Sequence, residues 1–308
     1  MSSSLSGDPI SAVLIPPQLA RFRALTGVGS ADLEVNVNGW NKYVLLTDDR
    51  AFLFPRAPAN LEWFIREVTI YGLLPPDLTV VPRVLGVWHE PDVYALPFAV
   101  VTRLPGTHPE DASALMADLG GAIARWHALE PTRFDLANAR PPAHHDRPAT
   151  QWLRRALDPA TTRAAAREAA DRLHRHDAIA RWTEQLGRAA QHPPVLVHGD
   201  IHEDQLLARA GVLTGVLDWE TARIDHPFWD FDFGEWGTGL WRRHRSEFSA
   251  LWATAWRAYA DRRAVDPDPA PLETAFRLRH ALALLEHDGV HDPGVVGTIG
   301  EHLRALDA

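Results

Sequence analysis

The sequence predicts an α+β fold, with a small antiparallel sheet near the N-terminus and a mostly helical remainder. Three observations carry this. Between Asp32 and Arg56, apolar residues alternate in three short runs separated by Asn38-Gly39 and Asp48-Asp49, the pattern of a three-stranded meander. From Ser113 onward, apolar residues recur at helical spacing. The stretch Pro194 to Trp236 interrupts that helical pattern. Its strand-like run Val195 to Val197 leads into a polar loop, His198 to Gln205; a turn at Ala210-Gly211 precedes a second apolar run, Leu213 to Leu217, ending on Asp218. Strands first and helices after is the order of an α+β chain.

The elements follow in order. A helix is predicted over Pro17 to Thr26, and the Gly27-Val28-Gly29-Ser30 run after it reads as a helix stop, since no strand precedes it. After the meander, Ala59 to Leu74 reads as a helix. Strands near Val80 to Val87 and over Phe98 to Thr102 complete the sheet. The helix Ser113 to Leu129 carries Leu115, Leu119, Ile123 and Trp126 on one face and is predicted to be buried. Residues 136–150 are rich in Pro and Ala, and their His144-His145 pair reads as a solvated turn. Two amphipathic helices are expected over 151–191, and further helices over 247–261, 271–287 and 295–306.

At 308 residues the chain is long enough for one large domain or two. It has no cysteine, which excludes a disulfide framework and Cys-ligated zinc. The net charge is −9 with no block of Lys or Arg, which argues against nucleic acid as a partner. The same negative charge can steer a cationic substrate, although acidity for solubility alone is commoner. No basic segment followed by an apolar core opens the chain, and no apolar run approaches the roughly 20 residues of a membrane span. The expectation is a cytoplasmic protein without a membrane partner.

Two carboxylates at the ends of short strands, Asp200 and Asp218, suit a site where one takes a proton and the other holds a metal ion. The motif His198-Gly199-Asp200, the amide of Gln205 five positions on, and the strand end Gly215 to Glu220 resemble the aminoglycoside phosphotransferase family. The later element Asp225 to Asp230 adds to the resemblance, with His226 inserted before Pro227. That family comprises antibiotic and small-metabolite kinases with a protein-kinase-like fold.

The resemblance implies a bilobal protein. Residues 1–102 form the N-terminal helix and nucleotide lobe, and 103–308 the helical lobe with the catalytic loop and acceptor pocket. It implies that Asp200 faces the acceptor hydroxyl, that Gln205 (usually Asn) and Asp218 hold Mg²⁺, and that His198 and Asp230 brace the loop. The donor is ATP or GTP. The partner is a small-molecule hydroxyl acceptor, and the protein is a monomer or homodimer. In the family the meander roofs the nucleotide, so Asn41 and the turn Asn36 to Lys42 lie near the phosphates; a plain hairpin is the competing reading. Thr102 and Leu104 fall by register beside the adenine.

Glu67 falls where the family has a Glu paired with a basic residue 14 positions earlier on the third strand, and that position here is Leu53. Lys42 and Arg56 are the nearest substitutes by sequence. Leu53 and Gln205 also keep open a reading as a binding module without transfer. For the acceptor, Glu203, Asp204, Glu220 and Glu235 suit an aminoglycoside or a basic peptide antibiotic, whereas Trp229, Trp236 and Trp241 suit the apolar wall a macrolide needs. A sugar or amino-alcohol metabolite is the alternative acceptor.

Overall fold

Five strands form a sheet in the order β1-β2-β3-β5-β4, antiparallel throughout. They are β1 (Glu34–Asn36), β2 (Lys42–Leu46), β3 (Arg50–Pro55), β4 (Val84–Trp88) and β5 (Phe98–Thr102). This computed structural model describes residues 9–29, 33–37, 39–111, 113–134, 192–225, 227–231 and 248–265. Glu235, Trp236, Trp241 and the helices expected over 151–191, 271–287 and 295–306 lie outside the described residues.

The fourth strand starts at Val84 instead of the expected Val80. Pro82 accounts for the shift, because it has no N–H to donate to a ladder. The Val80 carbonyl instead accepts a hydrogen bond from Val216 N–H, tying the first sheet's approach to the second half of the chain.

Side-chain alternation gives the sheet two unlike faces. Phe52, Phe54 and Phe98 point to one side, against Phe22 of helix α1 (Pro16–Thr26). Their rings meet edge-on and stacked, with Phe22 and Phe52 centroids 4.9 Å apart. Helix α1 ends on Gly27, left-handed at φ 71°, whose N–H bonds Arg23 O. Ala51, Leu53, Ala99 and Val101 point the other way, into the core shared with Phe64, Ile70 and Tyr71 of helix α2 (Leu61–Leu73).

That core continues into the second half. Helix α3 (Met116–His127) packs on helix α4 (Phe248–Arg263), so closely that a Cβ on Gly120 would collide with the Ala255 carbonyl. Beside them lie two small antiparallel pairs. Strand β6 (Val195–Val197) pairs with β9 (Arg223–Asp225), and β7 (Leu206–Arg209) with β8 (Val212–Val216). These short strands carry the polar loop His198 to Gln205 and the strand end at Asp218 toward the first sheet. Among the described residues, no helix is long and apolar enough to cross a membrane.

Candidate active site

The loop after β6 is built around one buried carboxylate. Asp230 has no exposure, and it accepts hydrogen bonds from His198 N–H (3.1 Å), Gly199 N–H (2.8 Å) and Trp126 Nε1–H (2.7 Å). His127 Nε2 lies 3.0 Å from the same carboxylate. Burial works to raise the Asp230 pKa, but these donors outweigh it and hold the carboxyl below its ordinary value. His198 Nε2 sits 2.8 Å from Leu217 O, so the loop is also tied to the β8 strand end. Gly199 is left-handed at φ 81° and packs against the Arg223 guanidinium, where no Cβ fits. Asp200 follows, its side chain half exposed to the cleft, with Gln205 Nε2 3.3 Å from its Oδ2.

Asp218 ends the other arm in a left-handed conformation, φ 67°, a costly one for a residue with a Cβ. It faces Lys42. The Lys42 ammonium lies 2.5 Å from Asp218 Oδ1, 2.7 Å from Glu67 Oε2 and 3.3 Å from Glu220 Oε2. Burial alone would lower the Lys42 pKa; the charges of Asp218, Glu67 and Glu220 outweigh burial and raise it above its usual value. Asp218 is pulled down by Lys42 against burial, while burial pushes Glu67 up. Glu220 is pushed up to about 7, by burial first and then by Asp218 and Glu67, against the pull of Lys42.

The residues present fit a hard divalent cation. Glu67, Asp218 and Glu220 each offer a carboxylate oxygen, all within 4.8 Å of one another. Gln205 is buried, its amide nitrogen is 2.9 Å from His202 Nε2 and 3.5 Å from Asp218 Oδ2, and among the described residues its Oε1 has no hydrogen-bond partner. A half-turn of the carboxamide exchanges its two polar atoms and turns that oxygen toward the gap between Asp200 and Asp218. Oxygen donors of this kind suit Mg²⁺, with Asp218 and Gln205 as the residues that would hold it.

The other sequence-predicted residues divide. Asn41 joins the cluster: its amide donates to Glu220 Oε1 (2.6 Å) and its oxygen accepts from Asn60 (2.9 Å). Arg56 does not. It donates to Gly39 O and Val37 O and lies over the Tyr43 ring, so it holds the β1–β2 turn from the far side. Thr102 Oγ1 accepts from Arg83 N–H, and Leu104 packs against Gly215 where the chain crosses to the second half. Glu203 is buried, and among the described residues neither of its carboxylate oxygens has a hydrogen-bond partner; Asp204 is exposed. Glu220, grouped by sequence with the acceptor residues, sits on the Lys42 side of the cleft.

The fold thus brings together Asp200 on a loop braced by Asp230, Asp218 at a strand end and the Lys42–Glu67 pair on the sheet side. The phosphotransferase enzyme family, APH, matches residues 32–293. The chain belongs to this family. Solved structures share its fold. APH(2")-IIia, bound to GDP and kanamycin, is 18% identical with a TM-score of 0.56, over 93% of this chain and 96% of that one. Macrolide 2'-phosphotransferase MphH from Brachybacterium faecium is 21% identical with a TM-score of 0.52, over 92% and 97%. The streptomycin–ATP–APH(2")-IIa complex is 14% identical with a TM-score of 0.50, over 93% and 95%. At such identities the likeness carries the fold, which is the α+β, bilobal, kinase-like one. No curated protein matches the chain.

This phosphotransferase departs from its family on β3. Strand pairing places Val44 opposite Leu53 and Lys42 opposite Pro55, so Lys42 and Leu53 share the α2 face. The cation that meets Glu67 therefore comes from the neighbouring strand. Composition held an unused signal of this: of 31 Lys and Arg residues, Lys42 is the only lysine. An ammonium is a compact point charge that meets three carboxylates around a single nitrogen, whereas a guanidinium spreads its charge and donors over a planar fork. Leu53→Lys is then expected to cost on the order of 3–5 kcal/mol, through a buried charge whose natural partner is already taken, and to leave nucleotide affinity unchanged. Melting temperature and calorimetric nucleotide titration check this together; tighter binding at an unchanged melting temperature contradicts it.

Proposed function

We propose that this phosphotransferase moves the γ-phosphate of ATP or GTP to a hydroxyl of a small molecule, with a cationic antibiotic as the first acceptor class. In this reading residues 1–102 hold the nucleotide, and 103–308 carry the catalytic loop and the acceptor. The observation that carries it is the Lys42–Glu67 pair on the face of Asp218, opposite the braced loop of Asp200. A chain that had lost phosphate handling along with its β3 cation has no need to rebuild the pair from β2. The binding-module reading loses its main support there.

The chemistry assigns each group one task. Asp200 orients the acceptor hydroxyl and takes its proton as the hydroxyl oxygen bonds to the γ-phosphorus; the bond from that phosphorus to the β,γ-bridging oxygen breaks, and the nucleoside diphosphate leaves. Lys42, steadied by Glu67, binds phosphate oxygens. Asn41 fixes the turn above them through Asn60 and Glu220. Mg²⁺ held by Asp218 and Gln205 neutralises charge on the phosphates when bound. Thr102 and Leu104 lie where the chain crosses between lobes and suit the base. Glu203 and Asp204, beside Asp200, support an acceptor with ammonium groups: a buried carboxylate without a partner is costly unless a cation reaches it.

The neighbours in fold bind GDP with kanamycin, and ATP with streptomycin, which supports both donor and acceptor class. The deciding experiment measures release of ADP and GDP across aminoglycosides, basic peptide antibiotics, macrolides, sugars and amino alcohols. Acceptor-dependent release with the cationic antibiotics is the expected result. Release only with sugars or amino alcohols transfers the assignment to a metabolite kinase, and nucleotide binding without release by any acceptor overturns transfer.

A further inference from the structure

We propose that Lys42 reserves the metal site: in the nucleotide-free protein its ammonium holds the place of the divalent cation, so metal enters only together with a nucleotide. This deepens, and rests on, the phosphotransferase reading.

The argument starts from charge and position. Glu67, Asp218 and Glu220 bring three carboxylate oxygens within 4.8 Å of one another, and the Lys42 nitrogen bonds all three groups at 2.5–3.3 Å. An ammonium there is a point charge among hard oxygens, the environment a small divalent cation seeks. Two cations in that space repel strongly, because the site is largely withdrawn from water. Gln205 lies beside Asp218 at the edge of the same cluster. Its Oε1 is buried without a partner, while its amide nitrogen lies toward Asp200 and Asp218.

Placement on β2 gives Lys42 somewhere to go. Its neighbour Asn41 anchors the turn to Asn60 on one side and to Glu220 on the other. The backbone is therefore fixed, and an exchange of partners falls to the Lys42 side chain alone. Nucleotide phosphates entering under the turn offer the ammonium new anionic partners. Lys42 keeps Glu67 and exchanges Asp218 for phosphate oxygen, which frees the Asp218 carboxylate for the cation arriving with the same phosphates. Metal and nucleotide thereby bind as one, and the free protein does not collect metal at three clustered acids. The lone lysine among 30 arginines fits this task, since a guanidinium would neither fill a metal-sized space nor slip between two sets of anions.

The test is Mn²⁺ binding followed by electron paramagnetic resonance on the full chain, native and Lys42→Met, with and without ADP. Without nucleotide, Lys42→Met is expected to bind Mn²⁺ at least about tenfold tighter than native protein, because the competing charge is gone. With ADP, the native protein is expected to bind Mn²⁺ as well. Native protein that takes up Mn²⁺ alone as tightly as the variant overturns the inference and leaves the phosphotransferase reading standing. Mn²⁺ bound in none of the arms overturns both. If Lys42→Met does not fold, the native protein still decides the matter. Labelled with ¹⁵N-lysine, it has a single side-chain ammonium to observe. That signal is expected to stay in place with Mg²⁺ alone and to move with Mg²⁺ plus ADP; movement with Mg²⁺ alone overturns the inference.

Discussion

Asp200→Asn is expected to lower phosphate transfer by about 10²–10⁴-fold while leaving nucleotide affinity within about twofold of native, because only the group that accepts the hydroxyl proton is removed. The geometry separates the two effects. Asp200 stands outside the Lys42 cluster: Gln205 Nε2 lies 3.3 Å and His202 Nε2 4.0 Å from its carboxylate, and its own N–H points toward His198 Nδ1. The loop's shape comes from Asp230 through the N–H groups of His198 and Gly199, and the substitution leaves those bonds in place. Nucleotide binding measured by calorimetry and turnover measured with the best acceptor form the pair of readouts. A variant that keeps most of its turnover removes Asp200 from the reaction. A variant that loses nucleotide binding as well would place Asp200 on the donor side.

Much of the frame is legible in the sequence because it follows local rules. Alternation between turns marks β2 and β3, a short apolar run marks β5, helical spacing marks α3, and Gly27 marks the end of α1. The loop His198 to Gln205 is legible as chemistry because few folds need that order of residues. The relation of Lys42 to Glu67 is not legible in the same way. Spacing from Glu67 leads back to Leu53, on the correct face of the correct strand, and finds a core residue there. Lys42 reaches Glu67 only through the register that sets it opposite Pro55, and cross-strand register is a tertiary fact. Glu220 illustrates the same limit. Two residues after Asp218 it would pass for an acceptor contact, yet the left-handed Asp218 turns the chain so that Glu220 meets Asn41 on the sheet side. A positive φ at a residue with a Cβ is the kind of local exception that propensity does not forecast.

Asp230→Ala is expected to destabilise the protein by on the order of 3–5 kcal/mol, because it leaves buried donors facing no acceptor. The side chain is fully buried and collects His198 N–H, Gly199 N–H and Trp126 Nε1–H, with His127 Nε2 beside them. No water reaches the site easily, so each orphaned donor costs more than a surface bond would. The sign of the pH dependence follows from the same contacts. The folded Asp230 carboxyl sits below its ordinary value, so its contribution is present above about pH 4 and is lost as pH falls through the folded pKa. His127 adds an earlier stage: burial lowers its pKa against the pull of Asp230, so below about pH 6.5 the unfolded chain takes up a proton that the folded one resists. Native stability should therefore fall in two stages on acidification, and Asp230→Ala should lose the lower one. Denaturant midpoints measured from pH 7 to pH 3.5 on both proteins give the comparison. Parallel curves with a constant offset would mean that the Asp230 carboxyl has the same pKa in the folded and unfolded chains, and its role in holding the loop would then rest on packing instead of charge.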